Sequence, residues 1–353
     1  MPAREKIIRL TIAITTRNRA AFIGETLDSI LPQLTEDVEL LVLDGASTDN
    51  TPGVVGGYQR KCPALRYVRQ EVNNGPDRDF SRSVELASGE YCWLMADDDL
   101  LRPGAVAAVL RAVRDNPSLV IVNAEVRNAD MSRILEPRRL VLDADRIFSP
   151  AEWDDFFVQT AAYLSFIGCV VIRRTIWLER AKDPYFGSLF IHVGVIFQHS
   201  MPDGIRVLAE PLISIRYGNA QWQPQQFEIW VLKWPGLLWS FPGISERAKR
   251  AVASQHRWRE FDRLLFYRAQ GAYSLAEYRR WVVPFAGSWW EKVPGMFIAR
   301  IPRVLANTLA VLACLALSGR TVAGRVAPEL VLLDLKSSRF YIWTWLFRQR
   351  TAP

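Results

Sequence analysis

Apolar and polar positions along the first 126 residues alternate between two periods. Short apolar runs at 7–15 (IIRLTIAIT), 38–44 (VELLVLD), 91–96 (YCWLMA) and 119–126 (LVIVNAEV) have the length and composition of strands, with a weaker one at 65–70 (LRYVRQ). The near-continuous run at 38–44 suits a strand covered on both faces of a parallel sheet. Between the strands, 21–34 places Phe22, Ile23, Leu27, Ile30, Leu31 and Leu34 on one helical stripe, and 77–87 and 103–115 also read as helices, the latter with Pro103 in its first turn. The rhythm predicts an α/β fold with a doubly wound, mostly parallel sheet. Ligands of such sheets bind beyond the carboxyl ends of the strands. The polar clusters TTRNR, DGASTDN and ADDD follow the first, second and fourth predicted strands.

The pattern loosens over 127–218, where a helix near 151–162, a strand at 164–174, a helix around 190–199 and a strand at 205–217 are expected to complete one face of the same site. The division that follows is 1–218, with halves 1–126 and 127–218, and a helical region 219–353. Ten of the thirteen tryptophans lie between Trp222 and Trp345, mixed with arginines. Trp beside Arg suits a membrane interface, where the ring sits at headgroup level and the cation meets lipid phosphate. A Trp-rich helical core or a homodimer interface would use the same residues. The run 304–319 is shorter than the ~20 residues of a membrane span. Asn307 and Thr308 interrupt it and Arg303 and Arg320 flank it. A monotopic or re-entrant helix is the expectation.

Composition narrows the class. Apolar residues make up 50% and charged residues 23%, as in a globular chain, and 44 Lys+Arg against 37 Asp+Glu leave a net charge of +7. That balance favours an acidic partner such as a nucleotide, a nucleic acid or an anionic membrane, although no nucleic-acid-binding module accompanies it. Cys62, Cys92, Cys169 and Cys314 form no CxxC pair, so reduced thiols in a cytosolic setting are expected. The start of the chain reads as a strand and not as a signal peptide.

The chemistry concentrates in YCWLMADDDLLRPGA, where a strand runs into Asp97, Asp98 and Asp99. Adjacent carboxylates raise one another's proton affinity, so a cation is the natural complement. Magnesium and manganese take one or two carboxylates plus substrate phosphates, and would stabilise charge on a diphosphate leaving group. Asp44, at the tip of its strand, either shapes an Asx-turn or accepts hydrogen bonds from a nucleobase or ribose, beside donors Thr15, Thr16 and Arg17. Arg78, in the first turn of a helix after Gly75-Pro76, suits a phosphate, or else pairs with Asp77 or Asp79.

ITTRNR, LLVLDGASTDNT and NNGPDRDFSRSVELASGEYCWLMADDDLLRPGA resemble the successive signatures of family 2 inverting glycosyltransferases with the nucleotide-diphospho-sugar transferase (A-type) fold. The last block is similar to the abequosyltransferase-like branch of bacterial O-antigen assembly. The resemblance covers 7–126 well, 127–218 loosely and the last third hardly at all. It implies that Thr15 and Arg17 line the base pocket, Asp44 reads the base, and Arg78 lies near the donor. It further implies that Asp97 and Asp98 form the acid motif, with Asp98 the direct ligand of Mg2+ or Mn2+. Ala96 stands where the family's first acid is expected. The family's Glu-Asp pair is also missing: counting back from Gly204 reaches His192, a candidate catalytic base with Asp183 and Asp99 as rivals, while His199 and His256 read as structural. The expected partners are a nucleotide-diphosphate sugar donor and a saccharide or polyprenyl-linked acceptor. The enzyme would lie at the cytoplasmic face of the membrane. A sugar nucleotidyltransferase is the first alternative, although TTRNRAAF lacks its Gly-rich phosphate loop. A non-catalytic assembly scaffold is the second.

Overall fold

A computed structural model describes residues 7–219, 221, 225–317 and 328–342. They form two compact units. The first takes in the described residues up to Tyr217 together with Phe241–Ala248, and the second takes in the rest.

The first unit is built on one mixed sheet. Its strands are β1 (Leu10–Thr16), β2 (Val38–Asp44), β3 (Leu65–Arg69), β4 (Tyr91–Met95), β5 (Leu100–Leu101), β6 (Leu119–Arg127), β7 (Ile134–Glu136), β8 (Arg146–Phe148), β9 (Val170–Arg173) and β10 (Ile205–Arg216). Their order is β3-β2-β1-β4-β9-β6-β10-β5, with β7 on β6 and β8 on β10. The β3-β2-β1-β4 half is parallel as expected, and so is β6 with β10, but β9 enters antiparallel to both β4 and β6. The expected strand 164–174 is therefore shortened: 163–169 coils as two 3-10 turns, and the carbonyl of Gly168 accepts the Trp93 indole N–H at 2.8 Å.

Helices cover the sheet where apolar spacing calls for them. α1 (Ile23–Ile30) buries Ile23, Leu27 and Ile30. α3 (Pro76–Leu86) starts on Pro76 after Gly75 in the left-handed region, with Asp77 and Asp79 at its positive end. α4 (Ala105–Ala112), α5 (Trp153–Thr160), α6 (Arg174–Glu179) and α7 (Ile191–Phe197) follow. α2 (Thr51–Lys61) was not anticipated, because Pro52 and three glycines depress its helix propensity. Asp49 starts it, accepting from the backbone and hydroxyl of Thr51.

Two connections position the site. β1 leads to β2 and β3 on one side and lies against β4 on the other, so the sheet's topological switch point falls between β1 and β4. β5 pairs antiparallel with β10 at Leu101 and Ile213, which ties the acidic turn between β4 and β5 to the far half of the sheet. β10 accommodates Pro211 at a register irregularity, where its missing N–H costs no ladder bond. Buried Asn123 fastens that irregularity, donating to the carbonyls of Leu140 and Ala209 and accepting from the Leu140 N–H.

The second unit is helical. α8 (Gln226–Glu228) runs through a π-turn at Ile229–Lys233 into α9 (Trp234–Ser240); α10 (Glu246–Val252) begins in the first unit and ends in the second, and α11 (Phe261–Gln270), α12 (Leu275–Glu277), α13 (Trp289–Arg300), α14 (Arg303–Leu317) and α15 (Pro328–Ser337) follow. Its core includes Phe227, Trp258, Leu264, Tyr267, Tyr273 and Val282. Trp234 and Trp258 are buried, so part of the tryptophan content is core, whereas Trp289 and Trp290 are exposed. Trp222, Trp343, Trp345 and residues 318–319 of the apolar run lie outside the described residues. Among the described residues no single helix is long and apolar enough to cross a membrane; α13 and α14 form a pair bent by 100°. All four cysteines are free, and Cys92 and Cys169 are buried.

Gly89, which leads α3 into β4, is pressed against backbone near the site's foundation. A Cβ there would lie 2.5 Å from the Thr11 backbone nitrogen and 2.8 Å from the Leu10 carbonyl carbon, and backbone cannot turn aside. Gly89→Ala is expected to lower the unfolding free energy by about 1–3 kcal/mol, read as an earlier denaturant midpoint at unchanged m.

Candidate active site

The site grows from three strand ends. Thr16 pairs with Asp44 and Ile14 with Met95, so the exits of β1, β2 and β4 stand side by side. From β1 the chain passes through Arg17, which is exposed, and Asn18, held at φ 55. The Asn18 side chain accepts from the Thr48 backbone N–H at 2.7 Å and its own N–H donates to Ser47 Oγ at 2.9 Å, which joins the turns after β1 and β2. Arg19 is thereby aimed across the switch point. Its Nη2 lies 3.0 Å from Asp98 Oδ2 and its Nε 3.3 Å from Asp97 Oδ1.

The acid cluster is buried: Asp97, Asp98 and Asp99 are all under 10% exposed. Burial first, and the Asp98 charge second, push the Asp97 carboxyl up to about 7 against the opposing pull of Arg19. Asp99 is raised well above the ordinary carboxylate range by burial and by Asp98. Arg216, at the end of β10, closes the turn from the other side. Its backbone N–H donates to Asp99 Oδ1 at 2.9 Å and its Nε to the Asp98 carbonyl at 3.1 Å. Its guanidinium also reaches the Ala129 carbonyl and Glu25. Both guanidinium groups lie over the Phe22 ring, 5.3 Å from its centroid for Arg19 and 5.4 Å for Arg216.

Asp44 is fully buried. Its Oδ1 accepts the Ser47 N–H at 2.7 Å and its Oδ2 the Tyr67 O–H at 2.6 Å, so the Asx-turn alternative is realised. Asp79, from α3, packs so closely on Gly45 that a Cβ there would lie 2.4 Å from Asp79 Oδ2. Burial raises the Asp79 carboxyl, with the Gln70 amide and the Arg17 charge pulling the other way. Thr15 is half-buried and Thr16 buried beside these groups. Arg78 is exposed and stacks over Phe186, 4.2 Å from the ring centroid. Its neighbour Asp77 accepts the backbone N–H groups of Gly187, Leu189 and Ile191, which fixes the loop after Asp183 against α3.

The three base candidates separate by access. His192 is 2% exposed, its Nε2 sits 2.6 Å from the Leu164 carbonyl, and burial holds its pKa down at about 4. The imidazole is sealed from solvent in this conformation, with its Nδ1 buried and without a hydrogen-bond partner, so it offers an acceptor no open nitrogen here. Asp99 is enclosed by Arg216. Asp183, in a 3-10 turn, is exposed.

Arg19, Arg216 and Asp79 were not singled out from the sequence. Arg19 lay inside the quoted TTRNR and Asp79 inside DRDF; Arg216 carried no signal beyond closing a strand. Among the described residues no group of three or more His, Cys, Asp or Glu is arranged to hold a metal alone. The pair Asp97–Asp98 nevertheless already holds a cation, the Arg19 guanidinium, and offers hard oxygen donors of the kind magnesium and manganese select. A divalent ion there would need further oxygens from a substrate.

Comparison with known proteins agrees with this geometry. Residues 11–174 match the model for glycosyl transferase family 2. The abequosyltransferase RfbV of Salmonella typhimurium is 26% identical over 223 residues, covering 60% of this chain and 67% of that protein. A GalNAc(5)-diNAcBac-PP-undecaprenol beta-1,3-glucosyltransferase of Campylobacter jejuni is 26% identical over 139 residues, 39% of this chain and less than half, 45%, of that relative. TarS 1-349 of S. aureus has a similar fold, with TM-score 0.55 at 14% identity over 97% of this chain and 92% of that one, and its complex with UDP-GlcNAc matches equally.

Because Asp97 titrates at about 7 in the folded chain and at an ordinary 3.8 when unfolded, the folded state holds the extra proton between those values. Its contribution to stability is complete below the lower value and is lost as pH rises through the upper one. Unfolding free energy is therefore expected to fall with rising pH across that window, and Asp97→Asn to remove up to about 1.4 kcal/mol per pH unit of the slope, measured by chemical denaturation at a series of pH values.

Proposed function

The chain belongs to glycosyl transferase family 2 and is a glycosyltransferase, and from that premise we propose an inverting, metal-dependent transfer of a sugar from a nucleotide-diphosphate donor to a saccharide acceptor. We read the acceptor as lipid-linked and the setting as bacterial surface polysaccharide or O-antigen synthesis at the cytoplasmic face of the membrane. The observation that carries the reading is the paired carboxylate of Asp97 and Asp98 at the switch point, bridged by the Arg19 guanidinium and adjoining exposed Arg17.

In this reading the first unit is the catalytic domain. Thr15, Thr16 and Arg17 line the nucleoside side of the crevice. Asp44 is a positioning residue, setting the base pocket through the 45–48 turn and Tyr67. Arg78 meets the donor's phosphates, its plane held by Phe186. Asp98, with Asp97, would hold a magnesium or manganese ion, which would neutralise charge on the departing nucleoside diphosphate. Arg19 offsets one of the pair's two charges when no other cation is near. Transfer forms the bond from the acceptor oxygen to the anomeric carbon, breaks the bond from that carbon to the diphosphate oxygen, and sends the acceptor's proton to a base. Of the three candidates only Asp183 has a carboxylate open to an acceptor, so we assign the proton to it.

Two measurements test the assignment. In thermal-shift assays with a panel of nucleoside diphosphates, one base is expected to raise the melting temperature only together with manganese. Asp98→Asn should abolish that synergy and cut donor hydrolysis by at least about a hundredfold; equal hydrolysis by both proteins would overturn the site. Asp183→Asn should lower kcat for transfer by about 10²–10⁴-fold while leaving nucleotide binding intact.

A further inference from the structure

The second unit exposes an apolar surface that a helix facing water on one side does not ordinarily present. α14 turns Ala306, Asn307, Ala310 and Val311 inward among Ala269 and Leu335. Its larger residues Leu305, Leu309 and Leu312, one stripe at helical spacing, are 50%, 45% and 57% exposed. The amphipathic order is inverted, with small residues inside and leucines outside. The orientation is fixed by Asn307, whose buried amide donates to the carbonyls of Ala269 on α11 and Leu335 on α15.

α13, joined to α14 through Ile301 and Pro302 at the 100° bend, also leaves large apolar side chains exposed. Phe297 is 69% exposed, and the stacked rings of Trp289 and Trp290 are 58% and 69% exposed. Charge selects the occupant. From Tyr278 to Leu317 the cations are Arg279, Arg280, Lys292, Arg300 and Arg303, and the single carboxylate is Glu291, already held by Arg259 at 2.6 Å. A protein partner with an apolar face would need acidic residues around it, whereas an anionic bilayer supplies hydrocarbon and phosphate together. Length decides the mode. The 15 residues of α14 reach about 22 Å at 1.5 Å per residue, short of the ~30 Å hydrocarbon core, and the bend prevents α13 from extending it in line.

We propose that the α13–α14 elbow is a monotopic docking surface for anionic lipid, with Leu305, Leu309, Leu312 and Phe297 in the acyl boundary, Trp289 and Trp290 at headgroup level, and Lys292 and Arg300 on lipid phosphate. The inference deepens the membrane part of the proposed function and rests on it, but its test needs no catalysis.

The test is flotation of the full chain with phosphatidylcholine vesicles and with vesicles containing phosphatidylglycerol. The native chain is expected to float with the anionic vesicles and less so at high salt. Leu309→Ser/Leu312→Ser should lower its partition constant by about tenfold or more without lowering the melting temperature. Lys292→Gln/Arg300→Gln should remove the preference for anionic lipid while leaving weak binding to neutral vesicles. Equal binding by the native and double-leucine proteins would overturn the elbow as the contact while leaving the membrane location intact. A native chain that binds no vesicle overturns both. If the leucine substitutions instead dissociate an oligomer that ignores vesicles, the face joins two copies and the proposal falls.

Discussion

Two carboxylates on adjacent residues, withdrawn from water, would repel each other and bind a proton if nothing answered their charge. Arg19 answers it from the neighbouring strand's exit, spanning Asp97 and Asp98 from across the switch point. That placement depends on the parallel order of β2, β1 and β4, on the joined turns after β1 and β2, and on Asn18 in its left-handed conformation. The sheet, in this sense, is organised around a charge that must be compensated at one corner. Arg19 offsets only one of the two charges, and the repulsion that remains, together with burial, is what raises the Asp97 carboxyl.

The first half of this arrangement was legible in the amino-acid pattern. Strands buried on both faces leave unbroken apolar runs, and the polar clusters at their ends mark the turns that the structure brings side by side. α2 was hidden by its glycines, and the antiparallel entry of β9 by the fact that a short buried strand reads the same in either direction. The three carboxylates stood out in the sequence; their two arginines did not, since Arg19 and Arg216 become partners only through pairings between residues far apart in the chain. For His192, the position on a helix was readable and its orientation was not. All seven residues of α7 are buried, so the helix has no outer face on which a base could stand. The Asp44 alternatives were likewise undecidable from sequence, because an Asx-turn and a base-reading carboxylate use the same residue at the same strand end.

Tryptophan in the second unit served two ends that composition alone could not separate. Trp234 and Trp258 are packed inside, while Trp289 and Trp290 stack in the open. What distinguishes them is the element each belongs to, and above all the inversion of α14, where alanines take the interior positions that leucines normally fill. A hydropathy profile records the same residues whichever way the helix is turned.

The attachment of the acidic turn to β10 has a consequence for the order of assembly. Asp97, Asp98 and Asp99 leave the ribosome long before Arg216, whose backbone and side chain hold Asp99 and the Asp98 carbonyl. The family match itself stops at residue 174, short of that strand. A nascent chain that has completed its parallel half therefore carries all three acids without the residue that fastens them, and the corner becomes rigid only when the last strand is threaded beside β6. Synthesis of the acids and fixing of their turn are thus separated in the chain, with the growing polypeptide unable to fasten the acidic turn until β10 has been laid down beside β6.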